Sequence, residues 1–449
     1  MAKSGQDQEK TILELYADDP ERADRIVFGR VAEKDRRGFL KGAGLATMGA
    51  MLGTTIPFSR NMPSGFVPEA LAATSLKIDG KDGLTVLGDR PVNAETPAHL
   101  LDDDVTPTSR HFIRNNGAVP ETTSPDAWTL TIDGEVNKPL KLSIGDLKQR
   151  FEVVSRKLLI ECGGNGRAGF NPPASGNQWT YGAVGNSEWT GVRLTDVLKA
   201  AGLKPDAKYT GHFGKDAHLS GDPNKHPISR GVPVEKAMDP DTLVVFAMNG
   251  APIHPMNGAP LRIVAPGWPG SCSQKWLTRI WVRDRVHDGA KMTGTSYRVP
   301  RYPVAPGEKV PNSAFEIIEE MPVKSLITTP QSGITLPRGT NSMAVRGHAW
   351  SGDQTIRNVD LSIDFGASWI KTDLNPPPNS HSWQSWNATV SFPTHGYYEI
   401  WARATDMRGR MQPFAVAWNP KGYLNFSPYS THLRQLLGVV WHSGGLREG

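Results

Sequence analysis

Cys162 is the side chain of this sequence best placed to do chemistry. It sits in Leu159-Ile160-Glu161-Cys162-Gly163-Gly164-Asn165-Gly166-Arg167, an apolar run that breaks into glycines just after the thiol. Glycines at that point let a backbone or a ligand come close. A thiol in this setting has three uses. It can be a nucleophile, but a cysteine hydrolase needs a partnering histidine, and no local pattern places one. It can be an inert core thiol. It can also be a thiolate ligand, and a soft thiolate suits a soft, redox-active metal centre. Only one other cysteine, Cys272, is present, so at most one disulfide can form. There is no C-x-x-C-H run and hence no c-type haem site on the chain. H-E-x-x-H, G-x-x-x-x-G-K-[ST] and G-x-G-x-x-G are absent too, which removes the usual support for a zinc peptidase, a P-loop enzyme or a dinucleotide-binding fold.

The elements that must position this thiol belong to a long chain. At 449 residues it is too large for one simple core, so two domains plus a targeting segment are expected. The net charge of +5 comes without any long basic run, which argues against a nucleic-acid partner. Arg36-Arg37-Gly38-Phe39-Leu40-Lys41 precedes a moderately apolar stretch from Gly42 to Phe58, and Ala70-Leu71-Ala72-Ala73 follows. This is the layout of a twin-arginine export signal with a small-residue cleavage site. It predicts a cleaved region over 1–73, a periplasmic mature protein and no membrane anchor in the mature form. The twin-arginine route carries folded proteins, which commonly acquire a cofactor before export.

The mature chain divides by pattern. Trp128 to Gly134 alternates like a strand, Ser143 caps a helix start, Val192 to Ala201 reads as an amphipathic helix, and Thr242–Met248 and Leu261–Val264 read as buried strands. This predicts a mixed α+β domain over 74–297. Residues 298–322 are rich in proline and read as an extended linker. Beyond them Met343–Trp350, Val359–Asp364 and Tyr398–Ala404 alternate with period two. About seven such strands predict an immunoglobulin-like β-sandwich over 323–430, with a tail at 431–449.

Five separated motifs, in order, make the chain resemble the sulfite oxidase family of molybdopterin enzymes. They are His111-Phe112-Ile113-Arg114-Asn115-Asn116, Cys162-Gly163-Gly164-Asn165-Gly166-Arg167, Trp189-Thr190-Gly191-Val192-Arg193-Leu194, Asn257 to Gly267 with Lys275-Trp276-Leu277, and Trp418-Asn419-Pro420-Lys421-Gly422. The resemblance spans about residues 94–430. It implies a molybdopterin-binding domain followed by a dimerisation domain, and hence a homodimer. It implies that Cys162 ligates molybdenum. Phe112, Ile113, Arg114, Asn115, Asn116, Asn257, Arg262, Ser273, Gln274 and Lys275 would hold the pterin and its phosphate. Arg114, Arg167, Trp179 and Lys421 would line the pocket of a small oxyanion. Tyr297 matches the active-site tyrosine, with Tyr302 as the second choice.

The activity implied is oxidation of sulfite to sulfate by oxygen-atom transfer, with electrons leaving to a separate c-type cytochrome. Other readings are a molybdopterin reductase, a sulfane dehydrogenase of the same superfamily, or a non-catalytic exported binding protein. Two departures from the family pattern stand out. Cys272 occupies a place where an arginine is common, and Lys421 replaces an arginine, so a point charge stands where a bidentate fork is usual.

Overall fold

The computed structural model describes residues 76–431 apart from Thr122, Thr123, Arg338, His395, Phe414, Val416 and residues 426–428. The twin-arginine segment and the tail after residue 431 lie outside the described residues. Among the described residues no helix is long and apolar enough to cross a membrane.

A small sheet comes first, of β1 (Thr85–Asp89), β2 (Val92–Glu95) and β3 (Ile113–Arg114), paired in that order. The chain continues through β4 (Thr129–Gly134), β5 (Leu140–Ser143), helix α1 (Ile144–Arg150), β6 (Val153–Glu161) and β7 (Val184–Arg193). Helix α2 (Leu194–Ala201), β8 (Tyr209–Gly214), β9 (Gly231–Pro233) and the single turn α3 (Val234–Ala237) follow. Then come β10 (Leu243–Met248), β11 (Ala251–Pro252), β12 (Arg262–Val264) and β13 (Leu277–Arg283). These strands build two five-stranded sheets. One has the order β11-β10-β7-β6 with β12 also on β10, and the other runs β5-β4-β13-β8-β9. The pairings are antiparallel except β4 with β13.

The local reasons are visible in the residues. Ser143 and Asp146 form a reciprocal capping box that starts α1. In β10, Val244 packs into one buried cluster while Leu243 and Val245 pack into another, so both faces of the strand are covered. That is why its sequence is a continuous apolar run rather than an alternation. Helix α2 is shorter than expected, because Val192 and Arg193 finish β7, paired to β10. Sheet predominates: α1, α2 and α3 are the only α-helices among the described residues.

The proline-rich stretch is more than an extended connection. It holds the antiparallel pair β14 (Arg298–Pro300) and β15 (Phe315–Ile317), and buries Phe315, Ile318 and Met321. The apolar residues between its prolines supply the anchoring. Beyond it lie β16 (Lys324–Thr329), β17 (Ser342–Trp350), β18 (Ile356–Ser362), β19 (Ile370–Lys371), β20 (Asp373–Leu374), β21 (Gln384–Ser391), β22 (Ile400–Asp406) and β23 (Tyr429–Thr431). They form two four-stranded sheets, β16-β17-β21-β20 and β19-β18-β22-β23. The inward set includes Leu326, Val345, Val359, Leu361, Trp386, Val390, Ile400, Ala402 and Ala404. The period-two pattern thus marks the buried face of a β-sandwich. Strand β6 serves both halves: Leu158 and Ile160 pack beside Cys162, while Leu159 packs into the sandwich cluster.

Candidate active site

Cys162 follows the last residue of β6 and is 6% exposed. Its loop is held by backbone bonds, Cys162 N to Ala183 O at 2.9 Å and Asn165 N to Cys162 O at 2.8 Å. The loop then folds Arg167 back over itself. A Cβ on Gly164 would lie 2.4 Å from a terminal nitrogen of Arg167, so a larger residue there would displace the guanidinium. Arg167 donates through Nε to the Lys421 carbonyl at 3.1 Å and through Nη1 to the Asn177 carbonyl at 2.9 Å. Its other terminal nitrogen has no hydrogen-bond partner among the described residues, and the side chain lines a cavity beside the thiol.

The remaining side chains arrive from four other segments. From the end of β3, Arg114 donates to Asn116 Oδ1 at 3.0 Å and shares a side-chain hydrogen bond with Tyr297. The Asn257 amide donates to the Phe112 carbonyl at 3.0 Å and accepts from Lys81 at 2.5 Å. From β12, Arg262 donates to the Asn257 carbonyl at 2.7 Å and the Ser273 carbonyl at 2.9 Å. Lys275 donates to the Met256 carbonyl at 2.7 Å and to Asn115 Oδ1.

Two cavities meet at the thiol. The first, about 630 Å³, is lined in part by Phe112, Arg114, Asn116, Cys162, Asn257, Arg262, Ser273, Gln274, Lys275 and Tyr297. The second, about 440 Å³, is lined by Arg114, Cys162, Arg167, Ser175, Gly176, Asn177, Tyr297 and Tyr423. Arg114, Cys162 and Tyr297 belong to both. Between the two candidate tyrosines the geometry favours Tyr297, 4% exposed and shared by both cavities, over Tyr302, 46% exposed.

Four residues expected at the site line neither cavity. Ile113 turns its side chain into a small apolar cluster with Ile78 and Ala94. Neighbours on a strand point to opposite faces, so Phe112 and Arg114 reach the cavity and Ile113 does not. Asn115 is buried beside the site and acts through Lys275. Trp179 is fully buried in the core, edge-on to the Phe112 ring at 6.4 Å. Lys421 contributes its carbonyl, which fixes Arg167, rather than its ammonium.

Conversely, His111 and Asp216 line the first cavity, Tyr423 lines the second, and Lys81 and Lys291 stand behind cavity residues. The resemblance assigns a site role to none of these five. His111 opens the first motif and Tyr423 directly follows the last, which is the signal that was there to find. Asp216, Lys81 and Lys291 stand in no recognised motif.

The electrostatics of the first cavity are lopsided. Burial lowers Lys81 to about 7, Lys291 to about 8 and Arg262 to about 9. Burial, reinforced by neighbouring Arg262, Arg114 and Lys81, pushes Lys275 far below the usual lysine range. The carboxylate in this lining, Asp216, is raised by burial to about 6. Such crowded cations fit a multiply charged anion. The buried Gln274 Oε1, Ser271 Oγ and Asp216 Oδ1 have no partner among the described residues. These orphaned groups suit the many donors and acceptors of a pterin, and the cations suit its phosphate.

A stability consequence follows. Each of these bases binds its proton more weakly when folded than when unfolded. Between pH 7 and about 10 the unfolded chain therefore holds more protons, and stability rises with pH. The cofactor-free protein should show a thermal midpoint that climbs across this window, and Lys275→Met should flatten the climb. A midpoint that falls from pH 7 to 9 would contradict the cation crowding.

Residues 116–291 match the oxidoreductase molybdopterin binding domain family, and residues 315–435 match the Mo-co oxidoreductase dimerisation domain family. The chain is 32% identical over 355 residues to sulfite oxidase of Gallus gallus, covering 76% of each protein. It is 35% identical over 354 residues to mitochondrial sulfite oxidase of Drosophila melanogaster, covering 75% of this chain but only 60% of that protein. Among solved structures, the sulfane dehydrogenase SoxCD from Paracoccus pantotrophus superposes with a TM-score of 0.65 at 25% identity, covering 85% of this chain and 95% of that one. With this extent of similarity and a Cys162-centred site that fits the cofactor, the chain belongs to the sulfite oxidase family of molybdopterin oxidoreductases.

Proposed function

We propose that this protein oxidises sulfite to sulfate in the periplasm, as a homodimer exported folded through the twin-arginine route, and passes electrons to an external c-type cytochrome. The observation that carries the reading is the meeting of the two cavities at Cys162, one suited to a pterin phosphate and the other to a small oxyanion. Cys162 would ligate the metal. Arg262, Ser273, Gln274, Lys275, Asn257, Phe112, Arg114 and Asn116 would hold the pterin. When bound, the molybdenum-pterin group supplies oxygen-atom transfer and two-electron storage.

The protein's own part is anion recognition and proton control. Arg114 and the unanchored end of Arg167 place positive charge around the second cavity before substrate arrives, so little reorganisation is needed. Tyr297, hydrogen-bonded to Arg114, presents its hydroxyl at the junction of the two cavities, where it can bond a sulfite or sulfate oxygen. A twin-arginine leader and the absence of a c-type haem attachment run support a periplasmic enzyme with a separate acceptor. The match to a dimerisation domain supports the homodimer.

The test is molybdenum content together with sulfite-dependent reduction of cytochrome c, on protein made in a host that synthesises the pterin. Stoichiometric molybdenum and sulfite turnover are expected. Protein that purifies without molybdenum defeats the proposal. The likeness to a sulfane dehydrogenase favours a second reading, oxidation of sulfane sulfur. Faster turnover of a sulfane-sulfur compound than of sulfite would select it.

A further inference from the structure

Tyr423 stands outside every motif that marks the family, yet it touches three elements of the site at once. Its ring stacks on Tyr297, with centroids 5.4 Å apart and planes inclined by 24°. The Arg167 guanidinium lies 5.0 Å from the same ring. A Cβ on Gly163, next to the ligand cysteine, would fall 3.8 Å from Tyr423 Cδ1. Its hydroxyl is hydrogen-bonded with the backbone of Tyr297.

The partner it touches needs holding. Tyr297 has φ of +52°, a left-handed conformation that a bulky residue adopts only when its surroundings enforce it. Two other residues lean on it. Arg230 lies 4.9 Å from the Tyr297 ring, and Arg114 bonds its side chain.

Tyr423 is itself fixed from outside the first domain. Asn419 Nδ2 donates to the Tyr423 carbonyl at 2.9 Å, and the Tyr423 amide donates to Asn419 Oδ1 at 3.2 Å. The next two residues tie down the cysteine loop, Leu424 N to Gly163 O at 3.0 Å and Asn425 Nδ2 to Gly166 O at 2.6 Å. The chain must bend sharply to do this: Gly422 and Leu424 have φ of +58° and +54°. Left-handed backbone at Tyr297 and at Leu424, beside Tyr423, persists only where the surrounding structure over-determines it.

We infer that Tyr423 is a positioning residue, supplied by the dimerisation domain, that holds the Tyr297 phenol toward the oxyanion cavity. It touches Tyr297 and Arg167, and it acts on substrate through them. The inference rests on the reading of that cavity as the oxyanion site.

The experiment is a double-mutant cycle on molybdenum-loaded protein, with two readouts: sulfite kcat/KM, and sulfate affinity by calorimetry. Tyr423→Leu removes the ring and should lower both by about tenfold, the upper end of what an aromatic pair contributes. Tyr423→Phe keeps the stack and should recover to within about threefold of wild type. In a Tyr297→Phe background, whose phenol is gone, the Tyr423→Leu loss should shrink to about threefold or less, the remainder being the contact with Arg167. A loss of equal size in both backgrounds overturns the inference, because a merely structural role does not depend on the Tyr297 hydroxyl. Wild-type values in Tyr423→Leu overturn it as well. If the wild type turns over no sulfite, the proposed function fails, while the sulfate cycle still decides the role of Tyr423.

Discussion

Replacing Cys162 by serine should lower sulfite-dependent turnover by more than about a hundredfold, since changes even one shell further from a metal cost 10- to 100-fold. The cause is ligand chemistry. Serine offers a hard, protonated hydroxyl where the metal requires a soft thiolate. The fold should survive, because the swap is nearly isosteric and the loop is held by backbone bonds to Ala183 and Asn165 rather than by the sulfur. Unfolding by denaturant should therefore remain close to wild type. Cys272→Ser supplies the control. That thiol is fully buried, lines neither cavity, and has Arg230 as its polar neighbour at 3.8 Å. It should keep its molybdenum and its turnover. Wild-type rates in Cys162→Ser would remove the metal-ligand assignment.

The second large effect concerns the seam between the two domains. Lys324→Met should destabilise the protein by about 3–5 kcal/mol, the cost of leaving one charge of a buried pair without its partner. Lys324 is 7% and Glu161 1% exposed at the side chain, and their charged atoms are 2.5 Å apart. Glu161 also accepts from Asn165 at 3.0 Å and from Trp350 at 2.9 Å. It immediately precedes Cys162, so the loss should extend to metal retention during dialysis. Adding Glu161→Gln removes the uncompensated charge and should restore most of the stability in denaturant titrations. A single-variant cost under about 1 kcal/mol would mean that water reaches the pair and screens it.

The sequence was most legible where the chemistry is contiguous. Cys162 and Arg167 lie five residues apart, and one loop places both. Arg262, Ser273, Gln274 and Lys275 come from a compact stretch and gather at one wall. Legibility failed for two physical reasons. The first is facing: a motif supplies consecutive residues, but β3 sends Phe112 and Arg114 one way and Ile113 the other. The second is distance along the chain. Lys81 meets Asn257 across 176 residues, and Tyr423 meets Tyr297 only once a second domain has folded. The β-strand pattern of the sandwich was clear because one face of each strand is buried. The pairing within residues 298–322 was hidden, because proline content says little about where the interleaved Phe315, Ile318 and Met321 find burial.

Strand β6 lies between the two cores, and residues 419–425 close on the loop that follows it. This sets an order of biogenesis. A ribosome makes Cys162 some 260 residues before Tyr423 and Asn425, whose contacts across 259 residues finish the cradle. The cradle around Cys162 is complete only when residues 419–425 have folded against it, and a product terminated before them is left with an unfinished pocket.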